Sequence, residues 1–260
     1  MRPDSFAARA ATYSNSQWHA ELAERFVAWL GFAAGLTVVD VGTGTGFAAL
    51  AVAGASGTRV HGVDRSRAMI AVARERAAAV GRDGAVTFAV GDAHRLGLRD
   101  RCAGAALFVT SLHYMTAGPA LAEARRIVRP GGTVAIATLR TGTLVSSRLF
   151  RAVLAEHGVA APDRMAAIGS RDQLTAHLEG AGLGKVETGQ DTLRLADADL
   201  ADAWPVNATM AARRLADWPE PEVAALRERW EARVAAARAA DEERFRTITM
   251  LMARAQRPDR

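Results

Sequence analysis

Trp18, Leu22, Phe26 and Leu30 recur every four residues with polar positions between them, which predicts an amphipathic helix over residues 17–31. The period then changes. Thr37 opens a β-branched run (Val38, Val39, Val41), a glycine-rich stretch follows from Gly42 to Gly46, and residues 47–52 are apolar and compatible with a helix. A Gly/Ser turn over 54–57 leads to a second strand, 59–63, which ends in Asp64. Ser66 is placed to cap the next helix, whose buried stripe is expected at Met69, Ile70, Ala73, Ala77 and Val80. Strands are predicted at 86–90, 107–109 and 133–139. A helix over 117–128 precedes the last of these, and Arg129-Pro130-Gly131-Gly132 reads as a sharp turn. Strands alternating with helices argue an α/β protein with a doubly wound, mostly parallel sheet.

Past residue 140 the pattern becomes more helical. Helices are predicted at 144–157 and 171–181, with Gly158 and Gly182 as C-caps, and a strand of irregular alternation at 185–195. Residues 197–244 read as helix in two pieces, with Pro205 at a helix start and Trp218-Pro219-Glu220-Pro221 between them. A last strand, 245–252, brings the sheet to seven, and the final eight residues are expected to fray. The helical stretch 197–244 is too long for a simple crossover and is expected to be a lid over the carboxyl edge of the sheet. Residues 1–16 are expected to be irregular. The division expected is 1–35 as a cover for the cofactor site, 36–140 as the binding core, and 141–260 as completion of the sheet with the lid.

Composition narrows the class. A chain of 260 residues can bury a full core. The lone cysteine, Cys102, excludes an internal disulfide and has no neighbours for a metal site, so no metal is expected. Apolar runs stop well short of a membrane span, and the start of the chain lacks the continuous apolar block of a secretory signal. The formal charge of +5 is spread along the chain without a basic track. The expectation is a cytoplasmic enzyme with no nucleic-acid or membrane partner.

The chemistry is concentrated at the turn after the first strand. Strand, glycine turn and helix in succession bring backbone N–H groups against a ligand, and glycine lets that ligand approach closely. A phosphate-binding loop needs a lysine after its glycines, and Phe47-Ala48-Ala49 stands there instead. The dinucleotide fingerprint counted from Gly42 puts bulky Phe47 where helix packing needs glycine. Asp40, at the turn itself, would repel a pyrophosphate and attract an ammonium. Asp64, at the end of the second strand beside the turn, is placed to accept both hydroxyls of a ribose.

The order Asp-x-Gly-x-Gly-x-Gly, followed by HGVDRSRAMIAVARERA, VGDAHRLG and RRIVRPGGTVAIATL, resembles the class I S-adenosylmethionine-dependent methyltransferases. Within them the nearest likeness is to the small-molecule group related to ubiquinone/menaquinone C-methyltransferases. It is close over residues 36–140. The resemblance implies S-adenosyl-L-methionine as cofactor, with S-adenosyl-L-homocysteine as product, on a Rossmann-like methyltransferase fold. It places Asp40 beside the methionine amino group, Gly42 and Gly44 against the cofactor, Asp64 on the ribose hydroxyls and Arg65 beside adenine. Asp92 would accept from the adenine amino group and Ala93 would offer its N–H, while Thr110 would open onto the methionine end. Tyr13, Thr43, Gly46, Met69, Gly91 and Ser111 complete the expected cofactor-binding set. Two departures stand out: Gly104-Ala105-Ala106 replaces an acidic residue ahead of the fourth strand, and His94-Arg95-Leu96-Gly97 follows the third motif.

A sulfonium methyl is already electrophilic, so alignment and exclusion of water are the main requirements, with a base only if the acceptor must lose a proton. His113 is the candidate catalytic base; a purely packing role is the alternative. His94 is expected near adenine, and His157 and His177 lie in helices outside the core. Tyr13 and Trp18 are either core or a roof for the cofactor, and Tyr114, Trp204 and Trp230 either line the acceptor pocket or belong to the core. The expected partner is a small-molecule acceptor, with an oxygen nucleophile favoured by analogy to the group; C- or N-methylation, other chemistry such as cyclisation, or cofactor binding without turnover stay open. Nothing in the residues supports a protein acceptor, and the expected assembly is a monomer or homodimer.

Overall fold

The computed structural model describes residues 10–13, 16–201 and 203–259, so most of the expected irregular lead falls outside it. Within that lead a single helical turn, α1 (Ala10–Tyr13), is described, and α2 (Gln17–Leu30) follows, ended by Gly31 in the left-handed conformation. Seven strands form one sheet: β1 (Thr37–Val41), β2 (Arg59–Asp64), β3 (Val86–Val90), β4 (Ala103–Val109), β5 (Val128–Leu139), β6 (Gly184–Arg194) and β7 (Thr247–Gln256). Their order is β3-β2-β1-β4-β5-β7-β6, and β7 alone runs antiparallel to both of its neighbours. The mostly parallel, doubly wound sheet read from the sequence is therefore present.

Alternation along the strands builds two apolar layers. Val38, Val60, Leu107 and Ala135 face α2, α3 (Phe47–Ser56) and α4 (Arg67–Ala79), where Phe26, Val52 and Ile70 close the layer. Their sequence neighbours Val39, Ala106, Phe108 and Ile136 face α5 (Ala117–Ile127) and α7 (Arg171–Gly180). A third, smaller core holds the lid together. In it α6 (Val145–Glu156) contributes Phe150 and Leu154, α9 (Ala203–Leu215) contributes Ala211, and α10 (Glu220–Ala240) contributes Leu226 and Trp230.

Several boundaries differ from expectation, each for a local reason. Helix α3 runs through Gly54 to Ser56 before the left-handed Gly57 stops it. Val80, expected in the stripe of α4, is 57% exposed because the helix ends at Ala79. Strand β4 begins at Ala103, four residues early. Its Gly104-Ala105-Ala106 segment is buried and lacks the β-branched side chains that mark a strand, and a Cβ at Gly104 would stand 2.8 Å from Leu36 Cδ2. The Arg129–Gly132 turn is a bulge inside β5: register jumps between Ala103↔Val128 and Ala105↔Thr133. The lid is four helices, with α8 (Asp197–Ala201) and α11 (Glu242–Arg246) added to the two pieces expected; Phe245 belongs to α11, and Pro205 lies in the first turn of α9.

The chain end is the largest correction. Residues 253–256 do not fray but continue β7, paired with β5 through Thr133↔Gln256 and with β6 through Gly184↔Gln256. Arg257 then donates Nη1 to the carbonyls of Arg125, Arg126 and Val128 at 2.7–3.0 Å. The signal was weak because the buried positions here are the alanines Ala253 and Ala255. A test follows from this placement. Ala255 is 1% exposed whereas Gln256 is exposed, so Ala255→Asp should cost about 3 kcal/mol or more in chemical denaturation and Gln256→Asp little. Equal, small effects would mean that the end is frayed after all.

Candidate active site

An open α/β sheet leaves a crevice where its strand order reverses, outside the carboxyl ends of the strands. Here that place is between β1 and β4, and a cavity of about 900 Å³ occupies it. Asp40 enters its wall from β1, with Gly42, Thr43 and Gly44 from the following turn. Asp64 and Arg65 come from the end of β2, and Met69 from α4. Gly91, Asp92 and Ala93 follow β3, and Thr110 and Ser111 follow β4. Tyr13 lies against the same space. Gly46 does not: it opens α3 at φ +86°, and a Cβ there would stand 3.0 Å from Phe88 Cζ, so its part is to let α3 pack against the sheet.

Three carboxylates ring the cavity, Asp40 held by a side-chain hydroxyl and the other two by backbone N–H groups. Asp40 is 1% exposed and accepts from Thr43 Oγ1 at 2.6 Å through Oδ2, while its buried Oδ1 has no hydrogen-bond partner. Burial raises its pKa from the ordinary 3.8 to about 6; the Thr43 bond offsets part of this and the nearby Asp64 adds to it. Asp64 accepts from the Gly44 N–H at 2.9 Å and the Ser66 N–H at 2.8 Å, one on each oxygen. Ser66 in turn accepts from the Met69 N–H at 3.3 Å, the expected cap of α4.

Asp92 Oδ1 accepts from the His94 N–H at 2.9 Å and from His94 Nδ1 at 2.7 Å. The Thr116 N–H donates to His94 Nε2 at 3.1 Å, so the imidazole carries its proton on Nδ1 and clamps Asp92. The His94 N–H bond, then the imidazole and Arg65, hold the Asp92 carboxyl below the usual range. The unusual His94-Arg95-Leu96-Gly97 run thus buttresses the third carboxylate from outside.

A second cavity, about 440 Å³, lies beneath the lid. Its walls include Leu144, Phe150, Val206 and Met210, and His113 lines this cavity rather than the first. Four residues line both cavities: Tyr13, His19, Thr110 and Tyr114. Thr110 holds a left-handed φ of +47°, a strained conformation for a β-branched residue, with its N–H bonded to the Ala137 carbonyl at 2.8 Å. His19 was not singled out by the sequence because it falls on the polar face of a regular amphipathic helix. Its ring stacks on Trp18 at 3.5 Å, Tyr13 is 4.2 Å away, and Nδ1 shares a 2.7 Å hydrogen bond with Ser16 Oγ. Tyr114 is on the cavity wall, whereas Trp230 is core, donating Nε1 to the Ser146 carbonyl at 2.9 Å, and Trp204 packs edge-on against Phe150 in the same cluster.

Comparison with known proteins bears on this geometry. Residues 38–132 match the methyltransferase-domain family. The chain is 39% identical over 97 residues to a ubiquinone/menaquinone biosynthesis C-methyltransferase of Acidiphilium cryptum, covering 37% of this chain and 39% of that protein. It is 31% identical over 163 residues to the 27-O-demethylrifamycin SV methyltransferase of Amycolatopsis mediterranei, covering 62% and 59% respectively. It therefore spans less than two thirds of either relative. A geranyl diphosphate methyltransferase solved in complex with S-adenosylmethionine superposes with a TM-score of 0.57 at 21% identity, covering 98% of this chain and 92% of that one, which shows the shared fold. Over residues 38–132 the chain is thus similar to the S-adenosylmethionine-dependent methyltransferase family, and its fold is shared with that family's solved members.

The first cavity fits that family's cofactor. The buried, unpartnered Asp40 oxygen suits an ammonium donor, and the opposed backbone bonds on Asp64 fix its carboxylate for a diol. The raised Asp40 pKa yields a pH test. Without ligand, burial of the ionised form should cost stability as pH rises from about 4 to about 6. A bound ammonium favours the ionised form, so affinity for S-adenosylhomocysteine should increase over the same window. Binding near pH 6 should release roughly half a proton, read by calorimetry in buffers of different ionisation heat. Asp40→Asn should abolish the release, and a buffer-independent heat in the native protein would refute the assignment.

Proposed function

We propose that this chain transfers a methyl group from S-adenosylmethionine to an oxygen of a small-molecule acceptor held beneath the helical lid. The observation that carries the reading is the junction: a carboxylate-ringed cavity and a partly apolar cavity under the lid share Tyr13, His19, Thr110 and Tyr114. When bound, S-adenosylmethionine supplies an electrophilic methyl group on a sulfonium. In this reading Asp40 orients the amino group, Asp64 takes the ribose hydroxyls, and Asp92 with the Ala93 N–H reads the adenine edge. Arg65, Met69 and Gly91 fill the space around the base, and Thr110 and Tyr114 set the gap through which the nucleophile approaches in line. The lid, with the described part of the segment ahead of residue 36 lying over the core of 36–140, keeps water out.

An oxygen acceptor is supported by the name of the Amycolatopsis mediterranei relative, whose match reaches beyond the methyltransferase core. His113 sits on the acceptor wall three residues past Thr110, with its ring 4.0 Å from Tyr114. It is placed there to remove the proton of a hydroxyl as the oxygen–carbon bond forms.

Two variants separate the binding and proton-transfer roles. Asp64→Ala should weaken S-adenosylhomocysteine by at least about tenfold, roughly 1.4 kcal/mol, with the fold intact. An unchanged calorimetric affinity would remove Asp64 from the site. His113→Ala should lower the single-turnover rate at saturating substrate by roughly a hundredfold while cofactor affinity holds, and the native rate should fall in acid as imidazole protonates. A variant within threefold of the native rate, with the same pH profile, would make His113 structural.

A further inference from the structure

The acceptor cavity carries more positive charge than its walls balance. Arg140, Arg151, Arg164 and Arg214 line it, against the carboxylates of Asp163 and Asp199. Both carboxylates are already engaged. Asp163 accepts from Arg151 Nη2 at 2.8 Å and from the Met165 N–H at 2.9 Å. Asp199 accepts from Ser16 Oγ and from the N–H groups of Gln17 and Ala196 at 3.0–3.2 Å. Arg214 donates Nε to the Ala160 carbonyl at 3.0 Å. Arg140 and Arg164 have no carboxylate partner among the described residues.

Unpaired surface arginines are ordinary; these two differ in lining a cavity from a built scaffold. Arg140 directly follows the last residue of β5, and its own N–H donates to the Thr249 carbonyl at 2.9 Å. The next residue, Thr141, donates its N–H to the Gly169 carbonyl at 3.0 Å and its hydroxyl to the Met165 carbonyl at 3.1 Å. A Cβ at Gly169 would overlap Thr141, so the two segments are in direct contact. Arg164 sits between Asp163 and Met165 on the far side of that seam, with its guanidinium carbon 5.2 Å from the Tyr114 ring centroid. Residues far apart in sequence are thereby held against one space.

We infer that the methyl acceptor carries an anionic group, a carboxylate or a phosphate, held by Arg140 and Arg164 apart from the oxygen that reacts. The inference rests on the methyltransferase reading above and names its substrate class. The anion is a handle rather than the nucleophile, because neither arginine lines the cofactor cavity and a guanidinium bonded to an attacking oxygen would draw off its electron density. Two planar guanidinium forks match carboxylate or phosphate oxygens in pairs, whereas a neutral acceptor would leave both without an anion.

Calorimetry on the full chain saturated with S-adenosylhomocysteine tests this, with benzoate and phenyl phosphate against benzyl alcohol and phenol. At least one anion should bind about tenfold or more tighter than its neutral counterpart, and the tighter of the two identifies the handle. The Arg140→Ala, Arg164→Ala double variant should bring that anion to the neutral level with S-adenosylhomocysteine affinity unchanged, and lysine at both positions should restore part of the preference. Neutral compounds binding as well as the anions, or a double variant that keeps the preference, would overturn the inference alone. Failure of S-adenosylhomocysteine to bind would overturn the methyltransferase reading and this inference with it.

Discussion

Crowding of backbone at the carboxyl ends of β1, β2 and β4 is the constraint on which the site depends. A Cβ at Gly42 would stand 2.6 Å from Ser111 Cβ and 2.7 Å from Met115 Cε, and one at Gly62 would stand 2.6 Å from Phe88 Cδ1 and 2.8 Å from Thr43 Oγ1. Glycine allows the approach, and hydrogen bonds then use it. The N–H groups of Gly42 and Thr43 donate to the Val63 carbonyl at 2.7 and 3.0 Å, and Ser111 Oγ donates to the Val41 carbonyl at 2.7 Å. Three strand ends are tied into one rim, and the carboxylates of Asp40 and Asp64 converge on it only because the rim is this tight.

Convergence of like charge has an electrostatic cost, and the two cavities meet it in opposite ways. Moving the Asp40 pKa from 3.8 to about 6, chiefly by burial with the nearby Asp64 a lesser cause, corresponds to something on the order of 3 kcal/mol against the ionised form. Backbone N–H groups hold Asp64 and Asp92, yet Asp40 Oδ1 keeps an unused acceptor, so a cationic donor completes the first cavity. The second cavity carries arginines whose charge the wall does not match. If the acceptor is the anion inferred above, an acidic cleft beside a basic one would sort it from a cofactor with a cationic amino-acid end, each being disfavoured in the other's place.

The sequence was most legible where side-chain chemistry and spacing coincide. Asp40 lies near the end of β1, Asp64 ends β2 and Asp92 follows β3, and all three line the first cavity. Legibility failed where small residues do the work. Gly104-Ala105-Ala106 and Ala253-Arg254-Ala255 are strand, but alanine and glycine carry little of the β-branched signal. Gly46 was legible as part of a motif and illegible in purpose: it serves packing against Phe88, not the cavity. The place of His19, and of Arg140 and Arg164 on one cavity wall, could not be read at all, since it depends on how distant segments fold together.

Ser16 and Gln17 tie the start of α2 to Asp199 in α8, so α2 and the lid over the second cavity are joined. The same Asp199 accepts from the Ala196 N–H at the start of α8, and Ser16 also holds His19, one of the four residues at the junction. Each bond is part-exposed or exposed and contributes about 1 kcal/mol or less, too little to lock the cover shut. Their effect is connection rather than strength. The covers of the two cavities therefore meet through Asp199, Ser16 and His19, beside the wall that the cavities share.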